Sequence, residues 1–315
     1  MTVTSYLTHL GSRLARGARG LPQSFCSRQR RFILDAQRPD GGFAGRSGTS
    51  DLYYTGFALR AAAMLETEEA ALWRRAAGFL RKHVSPPADL ADALSLLLGR
   101  DIVERHGQLV WCESCSAERL QGVRSTLERF RLPGGAFAKR AGGEPSLYHT
   151  FLAALAYEIL GEEMPGRDEV ASGVLARQLA DGGFADGPES TVGGTNPTAA
   201  AVGLLRVLGK LDGKTATGAG DFLLKMQRLA GGFAAHADAP AADLMSTFTA
   251  LLTLADVEEA ARASLGDVGR FARSLAVGSG GFRGAAADVA TDLEYTYYGL
   301  GTLALLADHV RARVA

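Results

Sequence analysis

Cysteine is scarce in this chain, with three in 315 residues. Three thiols cannot build a disulfide framework, so a reducing, cytoplasmic compartment is expected. Neither sign of charge is in excess, since 34 Lys and Arg face 34 Asp and Glu. That balance excludes wholesale nucleic-acid binding, which needs a basic footprint to displace counterions. Long apolar runs are also missing. The stretches Ala58–Leu65 and Thr302–Ala307 are interrupted by Arg60 or closed by Asp308, far short of the roughly 20 residues a membrane span requires. No membrane span and no nucleic-acid partner are therefore expected. The first 21 residues carry Arg13, Arg16 and Arg19 and lack the apolar centre of a secretory signal. Tyr6, Leu7, Leu10 and Leu14 fall at helical spacing. They predict a first helix, packed on the domain or lying on a membrane surface.

Apolar residues make up 47% and charged residues 22%, the balance of a folded protein rather than a disordered one. Glycine is abundant, at 39 residues, and its placement is periodic. Gly-Gly-Phe occurs at 41–43, 182–184, 231–233 and 280–282, with a variant at Gly134-Gly135-Ala136-Phe137. The phenylalanines 43, 137, 184, 233 and 282 are separated by 94, 47, 49 and 49 residues. The first gap is twice the second, which predicts a further unit with an eroded signature. A second series, Thr55, Thr150, Thr198, Thr247 and Thr296, keeps step at 95, 48, 49 and 49. Two series with one period identify a repeat protein.

Each unit predicts two helices. The first carries charge on one face, as in Glu68–Lys82 and Glu258–Arg273, and should lie outside. Paired glycines end it. The second begins at an Asp suited to an N-cap, such as Asp51, Asp243 or Asp292, and is apolar nearly all round. The missing unit fits at Pro86–Asp92, followed by apolar Ala93–Leu98. Nothing reads as a strand. The expected fold is all-α: six outer and six inner helices, in repeats of 47–49 residues, closed into an α/α toroid (a six-hairpin α/α barrel). Residues 1–31 form an N-terminal helical extension and 32–315 one barrel domain.

The segments Gln37-Arg-Pro-Asp-Gly-Gly-Phe43, Gln178-Leu-Ala-Asp-Gly-Gly-Phe184 and Asp292-Leu-Glu-Tyr-Thr-Tyr-Tyr-Gly-Leu-Gly-Thr-Leu303 resemble the prenyltransferase/squalene-cyclase repeat. The likeness spans Phe32 to Ala307 and is greatest to the β subunits of protein prenyltransferases of the Rab geranylgeranyl type. It implies a transferase that holds a prenyl diphosphate in a central cavity, with a helical α-type partner subunit or a homo-oligomeric state. The same ring also serves polyene cyclisation, so an acid catalyst of the class II terpene-cyclase type is an alternative. A third is a binding or scaffold protein without catalysis.

The resemblance also implies a zinc site. Its Asp-x-Cys falls on Asp243 and Met245, and its His falls on Tyr295. Methionine and a neutral tyrosine are poor zinc ligands, so no cofactor is expected there. The diphosphate clamp is altered too, with Gly194 where the family has its His and only His236 where it has a basic pair. Basic residues do follow the Gly-Gly-Phe loops: Arg46, Lys139 with Arg140, His236 and Arg283. In a ring these loops gather at one mouth with the inner-helix N-termini, which together would make an anion site. Candidate lining residues are Tyr53, Tyr54, Tyr148, Asn196, Tyr297 and Tyr298, aromatic faces that suit an isoprenoid chain or a carbocation. Candidate acids, bases and acceptor-assisting groups are Glu294, Tyr295, His149, Asp243 and Asp92. Cys112 and Cys115 form a Cys-x-x-Cys, read as half a metal site, a redox pair or two thiols without a role.

Overall fold

The structure, a computed structural model, describes residues 5–83, 86–108 and 113–314. Among these residues run thirteen α-helices: α1 (Tyr6–Ala18), α2 (Gln23–Ala36), α3 (Leu52–Met64), α4 (Ala70–Lys82), α5 (Leu90–Gly107), α6 (Glu113–Phe130), α7 (Leu147–Leu160), α8 (Arg167–Leu175), α9 (Thr195–Val207), α10 (Gly213–Lys225), α11 (Leu244–Asp256), α12 (Leu265–Ser274) and α13 (Leu293–Val314). After α1 the helices alternate along the chain, one buried on a single face and the next buried on most of its faces. The outer α4 buries one face through Leu72, Trp73, Ala76, Phe79 and Leu80. The following α5 buries Leu94, Leu96, Leu97 and Leu98 on successive faces. A helix apolar all round has to be enclosed, and this alternation is what the sequence pattern predicts.

Chain contacts divide the molecule into two compact units. Unit 1 is Met1–Arg129, Ala276–Arg283 and Val289–Ala315; unit 2 is Phe130–Leu275 and Gly284–Asp288. In both, the repeat is built around one hydrogen bond. The N–H of each signature phenylalanine donates to the Oγ of the matching threonine: Phe43 to Thr55 at 2.9 Å, Phe137 to Thr150 at 3.0 Å, Phe184 to Thr198 at 2.9 Å, Phe233 to Thr247 at 3.0 Å and Phe282 to Thr296 at 3.2 Å. All five phenylalanines are fully buried. Their carbonyls accept from the residue that opens the buried helix, as in Asp51 N–H to Phe43 O at 3.0 Å and Asp243 N–H to Phe233 O at 3.2 Å. The Gly-Gly pair lets this loop press on the next outer helix. Gly182 sits at φ +92°, and a Cβ there would meet Gly218 O at 2.1 Å. A Cβ on Gly183 would meet the Phe222 ring at 2.6 Å. Gln178 Nε2 then ties the loop, donating to Gly182 O at 3.1 Å and Thr215 O at 3.4 Å.

The eroded unit is α4 and α5, with Asp89 as N-cap accepting from Asp92 N–H at 2.9 Å. It lacks the Phe–Thr bond, and α6 supplies other ties. Thr126 Oγ donates to Pro87 O at 2.9 Å, and Arg129 donates to Pro87 O and Ala88 O.

The expectation of no strand is corrected. Strand β1 (Phe282–Arg283) pairs antiparallel with β2 (Thr291–Asp292). The cause is the same loop-to-cap hydrogen bonding, extended by one residue in the last repeat. At the other end of the sequence, α1 packs on α13. A Cβ on Gly17 would lie 2.0 Å from Ala304 O, and Asp308 accepts from Arg13 Nε at 3.2 Å and Arg16 Nε at 2.7 Å. The position 31, set as a boundary from the sequence, falls inside α2. Two residues of that helix hold the last loop: Gln29 Oε1 accepts from Gly281 N–H at 2.8 Å, and Phe32 packs on Gly280. Among the described residues no helix is long and apolar enough to cross a membrane.

Thr198→Val keeps the side-chain shape but leaves the buried Phe184 N–H without a partner, which should cost about 1–3 kcal/mol. Thr198→Ser, which keeps the hydroxyl, should recover most of it. Urea unfolding checks both, and equal loss in the two variants would refute the role assigned to the hydrogen bond.

Candidate functional site

In unit 1 the first turns of α3 and α13 bring an acid and a group of rings together. Asp51 and Asp292 cap these helices, accepting from Tyr54 N–H at 2.7 Å and Tyr295 N–H at 2.8 Å. Side chains of the first turn are thereby fixed in direction. Tyr53 Oη donates to Glu294 Oε1 at 2.8 Å. Around that pair the rings meet edge to face: Tyr53 with Tyr54 at 5.4 Å and with Phe57 at 5.0 Å, and Phe57 with Tyr297 at 5.6 Å and with Tyr298 at 5.4 Å between centroids. Burial pushes the Glu294 carboxyl above its ordinary range, and Asp292 adds to the shift. The Tyr53 hydrogen bond and the cations Arg60 and Arg46 oppose it. Burial also raises Tyr54 and Tyr297. The result is an acid that holds its proton more tightly than a solvated glutamate does, set among ring faces able to stabilise positive charge.

Beside this group, Arg46 Nε donates to Asp292 Oδ2 at 3.0 Å, and its guanidinium lies 5.8 Å from the Tyr295 ring. The Asp292 side chain is 5% exposed and the Arg46 side chain 37%. Arg46 therefore reaches solvent while already engaged with a carboxylate, so an incoming anion would have to share it. Arg283, in β1, is half-buried.

Asp92 lies in the first turn of α5. Burial, followed by the charges of Asp89 and Asp51, pushes its pKa up to about 6, with His83 opposing. Burial likewise raises Asp51. Asp92 can therefore carry a proton close to neutral pH, as a general acid must.

Unit 2 holds the remaining candidates. Ser146 caps α7, accepting from His149 N–H at 3.3 Å. Its Oγ lies 3.0 Å from His149 Nδ1 and donates to Asp186 Oδ1 at 3.1 Å. Tyr148 is 43% exposed. Asp243 uses both carboxylate oxygens within its own cap: Oδ1 accepts from Ser246 N–H at 2.8 Å and Oδ2 from Ser246 Oγ at 2.7 Å. Asn196 joins that network, accepting from Thr249 Oγ at 2.7 Å. Lys139, Arg140 and His236 are exposed. For zinc the donor set does not fit: a thioether at Met245, a phenol at Tyr295 and an Asp243 carboxylate already occupied. Cys112 lies outside the described residues; Cys115 is in α6, and its side chain also lies outside them.

Sequence reasoning missed Phe57, Arg60 and Asp186. Arg60 had a visible signal, being the one cation in an otherwise apolar helix. Asp186 had none, because its contact to Ser146 bridges 40 residues.

Fold and site together define an all-α repeat protein of helical hairpins with an acid set among tyrosines. The prenyltransferase alpha-alpha toroid domain family matches at residues 24–80 and 198–314, more than half of the chain. The chain belongs to that family, and its fold class is the all-α, α/α toroid. Among solved structures it is similar to Candida albicans protein geranylgeranyltransferase-I complexed with GGPP, at 14% identity and a TM-score of 0.66, covering 90% of this chain and 92% of that one. It is also similar to a variant of the type II terpene cyclase MstE from Scytonema in complex with geranylgeranyl dihydroxybenzoate, at 14% identity and a TM-score of 0.60, covering 94% and 99%. A glycosidase matches at 12% identity and a TM-score of 0.54, covering 96% and 98%. No curated protein sequence matches. Neighbours so different in their named activities show that the fold alone does not select the reaction.

The Asp92 shift has a pH consequence. A carboxyl whose folded pKa lies above its unfolded value contributes stability that is full below about 3.8 and lost as pH rises through about 6. Wild-type protein should therefore lose stability relative to Asp92→Asn across that window. Urea unfolding at stepped pH checks this, and parallel pH profiles would overturn the assignment.

Proposed function

We propose that this protein is an isoprenoid-handling enzyme that binds a prenyl diphosphate and transfers the prenyl group to an acceptor without zinc. The observation that supports it most is the Tyr53–Glu294 pair inside the ring cluster of Phe57, Tyr297 and Tyr298. In this reading the allylic C–O bond breaks and the diphosphate leaves with the electron pair. The rings stabilise the carbocation. The acceptor forms the new bond to carbon, and its proton passes to the Glu294 carboxylate, held in place by Tyr53. Arg46, shared with Asp292, offers charge to the leaving diphosphate. The family relation supports the substrate class, as one neighbour is named in complex with GGPP. The compartment we propose is the cytoplasm, from the low cysteine content.

A second reading has its own observation. Asp92, raised to about 6, and Glu294, also raised, are acids suited to protonating an alkene, the opening step of cyclisation. The two readings differ in product. Transfer releases diphosphate, whereas proton-initiated cyclisation of geranylgeranyl diphosphate gives an isomer of unchanged mass with the diphosphate intact.

The test incubates chelator-treated protein with geranylgeranyl diphosphate and a metabolite extract as acceptor pool, following diphosphate release and product mass. Release of diphosphate is expected. Glu294→Gln should slow it about 100-fold or more, the usual scale of general acid–base catalysis, while binding of the substrate persists. An isomer of unchanged mass would favour the acid-catalyst reading. Protein that neither binds nor consumes the diphosphate would leave a non-catalytic scaffold. Activity that disappears with the chelator would overturn the zinc-free claim.

A further inference from the structure

A cavity lies in unit 1 beneath α1, walled by α1, α3, α5 and α13. Its volume is about 380 Å³, at the small end of the roughly 300–1,000 Å³ typical of small-molecule sites. Leu7, Leu10 and Leu14 of α1 face Met64, Leu98 and Ile102 across it. The polar groups on its wall are mostly matched. Arg19 is paired with Glu66 at 2.5 Å, and Arg105 is paired with Asp101. His106 is stacked on Trp73 at 5.4 Å between centroids, and burial holds its pKa below the usual range.

Arg60 differs. Its guanidinium lies 4.1 Å from the Phe57 ring centroid and 4.6 Å from that of Tyr297, while Nε donates to Gly56 O at 3.2 Å. The guanidinium also donates a hydrogen bond to the Tyr297 hydroxyl, and Glu294 feels its charge, but among the described residues no carboxylate forms an ion pair with it. Arg60 and Tyr297 line the α1 cavity, while Phe57 and Tyr297 also belong to the ring cluster around Glu294. A half-buried cation without a paired anion, clamped between two rings and facing an apolar chamber, calls for an anion on an apolar body. The planar guanidinium suits a carboxylate or a phosphate monoester.

We infer that the cavity beneath α1 is a binding site, separate from the Glu294 cluster, for a medium-chain amphiphile with one anionic head group held by Arg60. The probes are dodecanoate, dodecyl phosphate and dodecanol, titrated calorimetrically into the full chain. One or both anions should bind, and dodecanol should bind at least about tenfold more weakly, for want of the charge-assisted hydrogen bonds. Whichever anion binds more tightly identifies the head group. Arg60→Met should abolish the preference for charge. If that variant fails to fold, Gly11→Phe serves instead. Gly11 lines the cavity, and a Cβ there meets nothing within 4 Å. The substitution also removes a glycine from a helix interior, so the variant should melt no lower than wild type while losing the ligand. Three results would overturn the proposal: no binding of either anion, equal binding of the alcohol, or full binding by Gly11→Phe. Glu294→Gln should bind dodecanoate unchanged. A loss there would assign the ligand to the Glu294 cluster and also overturn it, independently of whether that cluster transfers prenyl groups.

Discussion

The architecture rests on the hydrogen bond from a phenylalanine N–H to a threonine hydroxyl one helix turn inside the next buried helix. It satisfies a backbone donor that a fully buried ring has removed from water. It also fixes the angle at which the loop meets the helix. The aspartate caps, the glycine contacts and the glutamine ties all depend on that meeting point. Where the bond is missing, at α5, side chains of α6 must hold the loop instead.

The same construction explains why the acid and the rings of the candidate site are held so rigidly. Tyr53, Tyr54, Glu294 and Tyr295 all occupy first turns directly downstream of the capping residues Asp51 and Asp292. Their backbones are fixed by the repeat itself, so the chemistry varies by changing side chains without changing the frame. This is how a fold shared by a transferase, a cyclase and a glycosidase can carry such different reactions. In this chain the variation has placed an aromatic-enclosed glutamate, Glu294, in the first turn of α13.

Much of the frame was legible in the sequence because it is periodic. The phenylalanine and threonine series could be counted, and the structure supplies the bond that makes them keep step. Asp292 was legible as a cap, but its second role as partner to Arg46 was not, because 246 residues separate them. The direction of Glu294 was open from sequence, since a first-turn glutamate serves the helix dipole equally well when it faces water. Only the Tyr53 hydroxyl, from another helix, shows which face it takes. Short β1–β2 pairing escaped notice because two-residue strands leave no alternation to read.

The docking of Gly280 and Gly281 on α2 has a consequence for how the protein is made. In an open repeat array each new repeat can pack on the one before it as it leaves the ribosome. Here α1, α2 and α3 complete their packing against β1 and α13, which leave the ribosome long after them. Contacts such as Gly281 to Gln29 and Asp308 to Arg16 close loops of 252 and 292 residues. Apolar faces of α1, α2 and α3 must therefore wait uncovered until those later segments emerge. That delay slows folding and creates a need for chaperone protection that a linear solenoid of the same composition would not have.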